Sequence, residues 1–334
     1  MQHALVTGAS GHIGANLVRD LLAHGYRVTA LARPTSDTRG LDGLDLTLAR
    51  GDVLDAASVA AALEGCSVVF HLAAPYVVWS RDPVTDIVTP AVQGTEHVLR
   101  AAKAAGVRRV VVTSSCNAVG FTRGAPLDET HWNERTTSPY LRAKNEQERL
   151  AHRLGAELGL EVVTVLPTAV LGPHDYRKTP TTAPVLDALA GGRVPFPMNL
   201  VDARDVARGH VLAAERGIPG ERYLLGGDDA DTATLASIIE ELTGRRPAEG
   251  LPPAWVLRTV ATLAEAFAPV TGKAPPITRA LLDDVDGGVP LFDCAKARVE
   301  LGLAPRGARE VLEATLAWAI ERGWLPASTQ RRAA

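Results

Sequence analysis

The chain is poor in cysteine, in aromatics and in excess charge, and each scarcity removes a class of function. Its three cysteines, Cys66, Cys116 and Cys294, are far apart and odd in number, with no CxxC pair. They suggest no disulfide framework and suit a reducing compartment. The nine histidines are scattered without HExxH or similar ligand spacing, so no metal site is expected. The formal net charge of -3 gives no pull toward nucleic acid or an anionic membrane. Aromatic residues make up 4% of the chain, and no stacking platform for a nucleotide base stands out in its second half. No apolar run reaches the length of a membrane span. The opening "MQHALVTGAS" lacks the basic start and long apolar stretch of a secretory leader. A cytoplasmic protein is the expectation.

What is present is ample core material: 334 residues, 46% hydrophobic and 22% charged, enough for one large domain or two smaller ones. The first half alternates β-branched runs with helical stretches. "HALVTGA", "YRVTALAR", "LTLARGD", "SVVFHLAA", "RRVVVTSSC" and "LEVVTVLPT" read as strands. Between them "HIGANLVRDLLAHG", "DAASVAAALEGC", "VTPAVQGTEHVLRAAKAAG" and residues 138–159 read as helices, with Asp55 an N-cap. Nearly continuous apolar strands separated by helices predict a parallel sheet covered on both faces, a doubly wound Rossmann α/β fold. After about residue 170 prolines and glycines thicken, and helices are expected at 232–243, 253–269, 293–301 and 306–322. The expected division is a dinucleotide-binding domain over 1–170 plus about 201–225. Residues 171–200 and 226–325 would form a smaller, mostly helical C-terminal substrate domain.

"TGASGHIG" places Gly8, Gly11 and Gly14 between a strand and a helix. The first glycine permits a tight turn, the second lets a pyrophosphate approach the backbone, and the third lets helix and strand pack closely. The helix N-terminus then offers free N–H groups to the diphosphate. Ser10, His12 and Ile13 lie in the same turn. At the end of the second strand, folds that take NAD usually place a carboxylate for the ribose. Here Ala32 is followed by Arg33, and a guanidinium suits the 2′-phosphate of NADP.

"SPYLRAK" carries Tyr140 and Lys144 four residues apart, on one helix face. A free tyrosine has a pKa of about 10, and lowering it by about three units takes roughly 4 kcal/mol of preferential phenolate stabilisation. A neighbouring ammonium in a low-dielectric cleft, with the nicotinamide's positive charge, is expected to supply that. Ser114 and Ser115 end the fifth strand, at the sheet edge where ligands bind.

The order of glycine turn, strand-end serine and Tyr-x-x-x-Lys resembles the short-chain dehydrogenase/reductase superfamily. "TGASGHIG", "GDVLD", "HLAA", "VTSSCNAVG", "YLRAK", "LPTAVLGP" and "VDARDVARGH" resemble its extended, atypical branch over about residues 1–225. The pattern is similar to the dihydroflavonol-4-reductase-like group. "YVVWSRDP", "GPHDYRKTPT" and "GERYLLGGD" also resemble bacterial proteins labelled hopanoid-associated sugar epimerases. Ala143 departs from the pattern, which often has Ser there.

The resemblance implies a Ser115–Tyr140–Lys144 catalytic set, with Lys144 also bonding the nicotinamide ribose and Ser114 the alternative to Ser115. It implies that Asp52 and Val53 meet the adenine, that Leu72, Ala73 and Ala74 pass the nicotinamide ribose, and that Pro167 and Thr168 lie beside the carboxamide. Trp79, Asn117, His174, Tyr176 and Arg177 are expected toward the substrate, His71 is expected to be structural, and Cys116 to be packing. The expected activity is reduction of a small-molecule ketone or aldehyde with NADPH, the alternative being a nucleotide-sugar epimerase or dehydratase with a captive dinucleotide. A homodimer is expected, without nucleic-acid or membrane partners.

Overall fold

Alternating side chains along six short strands set the layers of the molecule. In the computed structural model, which describes residues 2–77, 79–272, 274–285 and 288–331, these are β1 (His3–Thr7), β2 (Arg27–Ala32), β3 (Thr47–Arg50), β4 (Val68–His71), β5 (Arg109–Thr113) and β6 (Glu161–Pro167). The helices between them are α1 (His12–Ala23), α2 (Ala56–Ala62), α3 (Thr89–Ala104) and α4 (Pro139–Leu158). Val6, Phe70, Val111 and Val163 point to one face, where α1 packs. Leu5, Val69, Val110 and Val162 point to the other, against α2, α3 and α4. Both faces are therefore buried, as the apolar runs predict. Asp55 caps α2 by accepting the Ala57 N–H at 3.0 Å.

The second half continues with β7 (Ala169–Leu171), α5 (Thr182–Leu189), β8 (Arg193–Val194), β9 (Met198–Asp202), α6 (Ala203–Arg216), β10 (Arg222–Leu225), β11 (Asp228–Ala230), α7 (Thr232–Thr243), β12 (Ala248–Glu249), α8 (Ala254–Thr271), α9 (Arg279–Val285) and α10 (Ala308–Glu321). β10 pairs parallel with β6, completing a seven-stranded parallel sheet in the order β10-β6-β5-β4-β1-β2-β3. α6 packs on α1 beneath it. Sheet growth reverses between β1 and β4, and the crevice at that switch point lies beyond the strands' C-terminal ends.

The remaining second-half elements form their own core. Leu171, Leu200, Leu235, Val311 and Leu316 meet there, drawn from β7, β9, α7 and α10. This unit is less helical than the sequence suggests, because β11-β9-β7 form a three-stranded sheet. Strands of three to five residues beside prolines carry too little periodicity to be read. The helix expected over 293–301 is shorter. Asp293 accepts the Ala295 N–H at 2.9 Å, and Ala297–Leu301 form a wide π-type turn. Among the described residues no helix is long and apolar enough to cross a membrane.

Candidate active site

The glycine turn is dictated by space. Gly8 has φ +70°, and a Cβ there would sit 2.8 Å from the Ala73 nitrogen. A Cβ on Gly14 would sit 2.3 Å from the Gly8 carbonyl oxygen, so only glycine lets α1 start against β1. Gly11 caps α1 with no side-chain acceptor, leaving first-turn N–H groups for an anion. Ser10, Gly11, Ile13 and Gly14 line a cavity of about 1490 Å³ running along the sheet's C-terminal edge. A cradle that any Cβ would fill, ending in an uncapped helix, fits a dinucleotide diphosphate. His12 borders the cavity, but its Nε2 bonds the Pro173 carbonyl at 3.0 Å, so its ring is committed to the opposite wall.

Arg33 lines the cavity at the end of β2 and is exposed. Among the described residues no ion pair engages its guanidinium. Asp52 and Val53 lie at the same end. The Asp52 carboxylate accepts the Leu54 N–H at 3.0 Å. Leu72, Ala73 and Ala74 follow β4, and Pro167 and Thr168 end β6; all five border the same space.

Ser115, Tyr140 and Lys144 converge where β5 and α4 meet the cavity, and all three are buried. Ser115 Oγ accepts the Asn117 N–H at 3.2 Å, so its own hydrogen is free to donate. Ser114 is committed elsewhere, donating to Glu148 Oε2 at 2.6 Å. Both serines border the cavity, but the Ser114 hydroxyl hydrogen is spent on Glu148.

In the protein alone, Tyr140 is set by its buried surroundings. Burial, with Tyr76 and Cys116 nearby, pushes its phenol well above the usual tyrosine range, and the neighbouring Ser115 hydroxyl only partly opposes this. Lys144 is not bonded to it. Instead Nζ donates to the Thr113 carbonyl and to Gln147 Oε1, each at 3.0 Å. The protein alone therefore holds Tyr140 as a neutral proton donor. Cys116 is buried with its thiol pushed up to about 12 by desolvation, so it is no nucleophile.

Gln147 opens a buried chain that the sequence reading missed. Its Nε2 donates to Thr95 Oγ1 at 2.9 Å, and Thr95 donates to the Ala91 carbonyl. With its hydrogen spent, Thr95 must accept from His71 Nε2 at 2.9 Å. His71 Nδ1 then accepts from Thr7 Oγ1 at 2.8 Å, and Thr7 accepts the Ala73 N–H. The donors fix one tautomer of His71, whose pKa burial and Lys144 lower to about 3. The histidine is thus a neutral structural link between lysine and glycine turn.

Burial lowers Lys144 to about 8, with Glu148 pulling the other way. Gln147→Leu would remove an acceptor from the ammonium and lower that pKa further. Dinucleotide affinity that depends on the ammonium should then fade at lower pH than in the wild type, where it fades as pH rises through about 8. Fluorescence titration of cofactor binding across neutral to alkaline pH reads this, and an unmoved midpoint would refute it.

Of the residues expected toward substrate, Asn117, Tyr176 and Arg177 line the cavity. Trp79 and His174 do not. His174 has φ +64° and packs against Tyr176 and Trp318. Tyr76, its ring 5.2 Å from that of Tyr140, was not singled out from sequence, nor was Ser138. Neither carries a signature at short range. The far wall, from α8, α9 and residues 288–292, was equally invisible.

The sequence profile of the NAD dependent epimerase/dehydratase family matches residues 4–226. The chain belongs to that family. It is 38% identical to the sterol demethylase protein B of Methylococcus capsulatus, covering 96% of this chain and 99% of that one. It is 32% identical to the dihydroflavonol 4-reductase of Zea mays, over 71% and 73% of the two chains. The crystal structure of a nucleoside-diphosphate-sugar epimerase from Pseudomonas aeruginosa superposes with a TM-score of 0.77 at 27% identity, covering 97% of this chain and 99% of that one. The extended short-chain dehydrogenase/reductase family, with its oxidoreductases and epimerases that use nicotinamide dinucleotides, is therefore the frame for the site.

Proposed function

We propose that the protein is an NADPH-dependent reductase of a ketone or aldehyde. The observation that carries this is the end of β2, where Ala32 supplies no carboxylate and Arg33 faces the cavity. That chemistry favours a 2′-phosphate, and a reductase draws on the reduced NADP pool. The neutral state of Tyr140 agrees, since carbonyl reduction needs an acid at the oxygen.

When bound, the reduced nicotinamide supplies a hydride for the carbonyl carbon. Ser115 donates its hydrogen bond to the carbonyl oxygen and stabilises the developing alkoxide. Tyr140 transfers its phenolic proton to that oxygen. Lys144 has three donors and spends two within the protein, which leaves one for a ribose hydroxyl.

The likeness to the Pseudomonas sugar epimerase favours a second reading, an epimerase or dehydratase that returns the hydride to the same substrate. Denaturing the purified protein and assaying released dinucleotide, alongside NADPH consumption on a carbonyl panel, separates the two. A stoichiometric load of NAD with no NADPH oxidation, and interconversion of a nucleotide sugar, would overturn the reductase. Arg33→Ala should weaken NADPH binding roughly ten- to hundredfold, the value of a charge-assisted hydrogen bond of about 1.5–3 kcal/mol, and leave NADH little changed. Equal effects on the two cofactors would remove the argument.

A further inference from the structure

We infer that the substrate end of the cavity takes a bulky, uncharged, largely apolar carbonyl compound, held with its polar end at Tyr140 and its apolar body against α8 and α9. This rests on the reductase reading and adds the class of substrate.

The first observation is the wall. Leu257 of α8, Ile277, and Leu281, Leu282 and Val285 of α9 line the cavity, with Phe121 also bordering it. All six are half-buried, so they keep apolar surface facing open space, which an apolar ligand would remove from water. The cavity's 1490 Å³ exceeds the roughly 300–1,000 Å³ typical of one small-molecule site, so a large second ligand fits beside a dinucleotide.

The second observation is charge. A nucleoside diphosphate needs cations or free helix N-termini at its phosphates. Arg258, the cation that α8 brings to the cavity, is paired with Asp283 at 2.8 Å. Arg123 is not free either. Arg177 reaches toward Ser10 in the glycine turn at 3.5 Å, and Lys178 sits over the Trp324 ring. Arg258, the cation of the apolar wall itself, is thus ion-paired, and Arg177 and Lys178 belong to the loop between β7 and α5 rather than to α8 or α9.

The third observation is where polarity is concentrated. Ser138 is 3% exposed, lines the cavity, and its Oγ has no hydrogen-bond partner. It lies two residues before Tyr140, at the start of α4. An unpaired buried hydroxyl costs stability, and a substrate oxygen beside Tyr140 would satisfy it. The apolar wall is fixed to this same point. Buried Asp284 of α9 accepts the N–H groups of Thr137 at 2.9 Å and Ser138 at 2.7 Å. Ser115, Ser138 and Tyr140 thus give the reacting end its polar atoms, while the α8–α9 wall is apolar apart from the ion-paired Arg258.

The test measures kcat/KM with NADPH for a series of ketones from butanone to progesterone, and binding of progesterone and UDP-glucose to the full chain saturated with NADP by calorimetry. At about 25 cal/mol per Å², each ~55 Å² of apolar surface buried gives about tenfold, so kcat/KM should rise at least about hundredfold along the series. Leu281→Glu should weaken progesterone binding at least about tenfold. Leu257→Gln, on the more open helix, serves if that variant fails to fold. Turnover that is flat or falls with apolar size, or UDP-glucose binding tighter than progesterone, overturns the class while leaving the reductase reading standing. Progesterone binding that ignores both substitutions overturns it too. Tight progesterone binding sensitive to Leu281→Glu, but no NADPH oxidation on any ketone, supports the apolar site and refutes the reductase instead.

Discussion

Replacing Tyr140 with Phe should lower kcat by about 10²–10⁴-fold, the usual contribution of a placed proton donor, while fold and dinucleotide binding persist. The substitution removes one hydroxyl and keeps the ring. That ring is buried and lies against Tyr76 with centroids 5.2 Å apart, so the packing survives. The hydroxyl's neighbour Ser115 keeps its bond to the Asn117 N–H. Only the transferable proton is lost. Because burial holds the phenol above the usual tyrosine range, the wild type should keep this acid protonated through neutral pH. Single-turnover rates on a verified carbonyl, with calorimetric cofactor titration as control, decide it. Near-full turnover in the variant would mean that another group delivers the proton.

Short-range spacing made half of this site legible. Gly8, Gly11 and Gly14 fall within seven residues of one turn, and Tyr140 and Lys144 within five on one helix face, so the spacing alone carries the signal. The hydrophobic alternation that builds both faces of the sheet was equally local. Other features depend on partners far along the chain. Glu148, which takes the Ser114 hydroxyl hydrogen, is 34 residues from it, and no pattern near either serine reveals that choice. Asp284 reaches the start of α4 across 146 residues. Gln147 reads as an ordinary helix residue until Thr95 and His71 are brought beside it. The setting of Tyr140 in the protein alone is another such feature. Nζ of the lysine four residues away is turned toward Thr113 and Gln147, and burial dominates the phenol. In the second half, the short strands of β7, β9 and β11 gain their stability from pairing rather than from their own sequence.

Arg222→Met should destabilise the fold by about 3–5 kcal/mol, the cost of leaving a buried charge without its partner, and lower Tm by roughly 5–10 °C. Glu148 is completely buried, and Arg222 Nε donates to its Oε1 at 2.7 Å. The same guanidinium donates to the carbonyls of Glu129 at 2.6 Å and His131 at 2.7 Å, and lies 3.7 Å from the centre of the Trp132 ring, where Arg149 lies at 4.3 Å. β10, the last strand of the sheet, is thereby tied to α4 and to the loop before it. Burial pushes the Glu148 carboxyl upward, yet His152, 3.9 Å away, the charge and hydrogen bonds of Arg222 and the Ser114 hydroxyl hold it below the ordinary carboxylate range. A depressed folded-state pKa gives stability that is present above the unfolded pKa and lost as pH falls through the folded value. Without Arg222 burial dominates, and the carboxyl protonates at higher pH. The difference in Tm between wild type and variant should therefore be largest near neutral pH and narrow through the acidic carboxylate range. Thermal melts of both proteins at neutral and mildly acidic pH measure it. A gap that stays constant with pH would show that the loss comes from the Trp132 stacking and the stranded carbonyls, not from the uncompensated charge of Glu148.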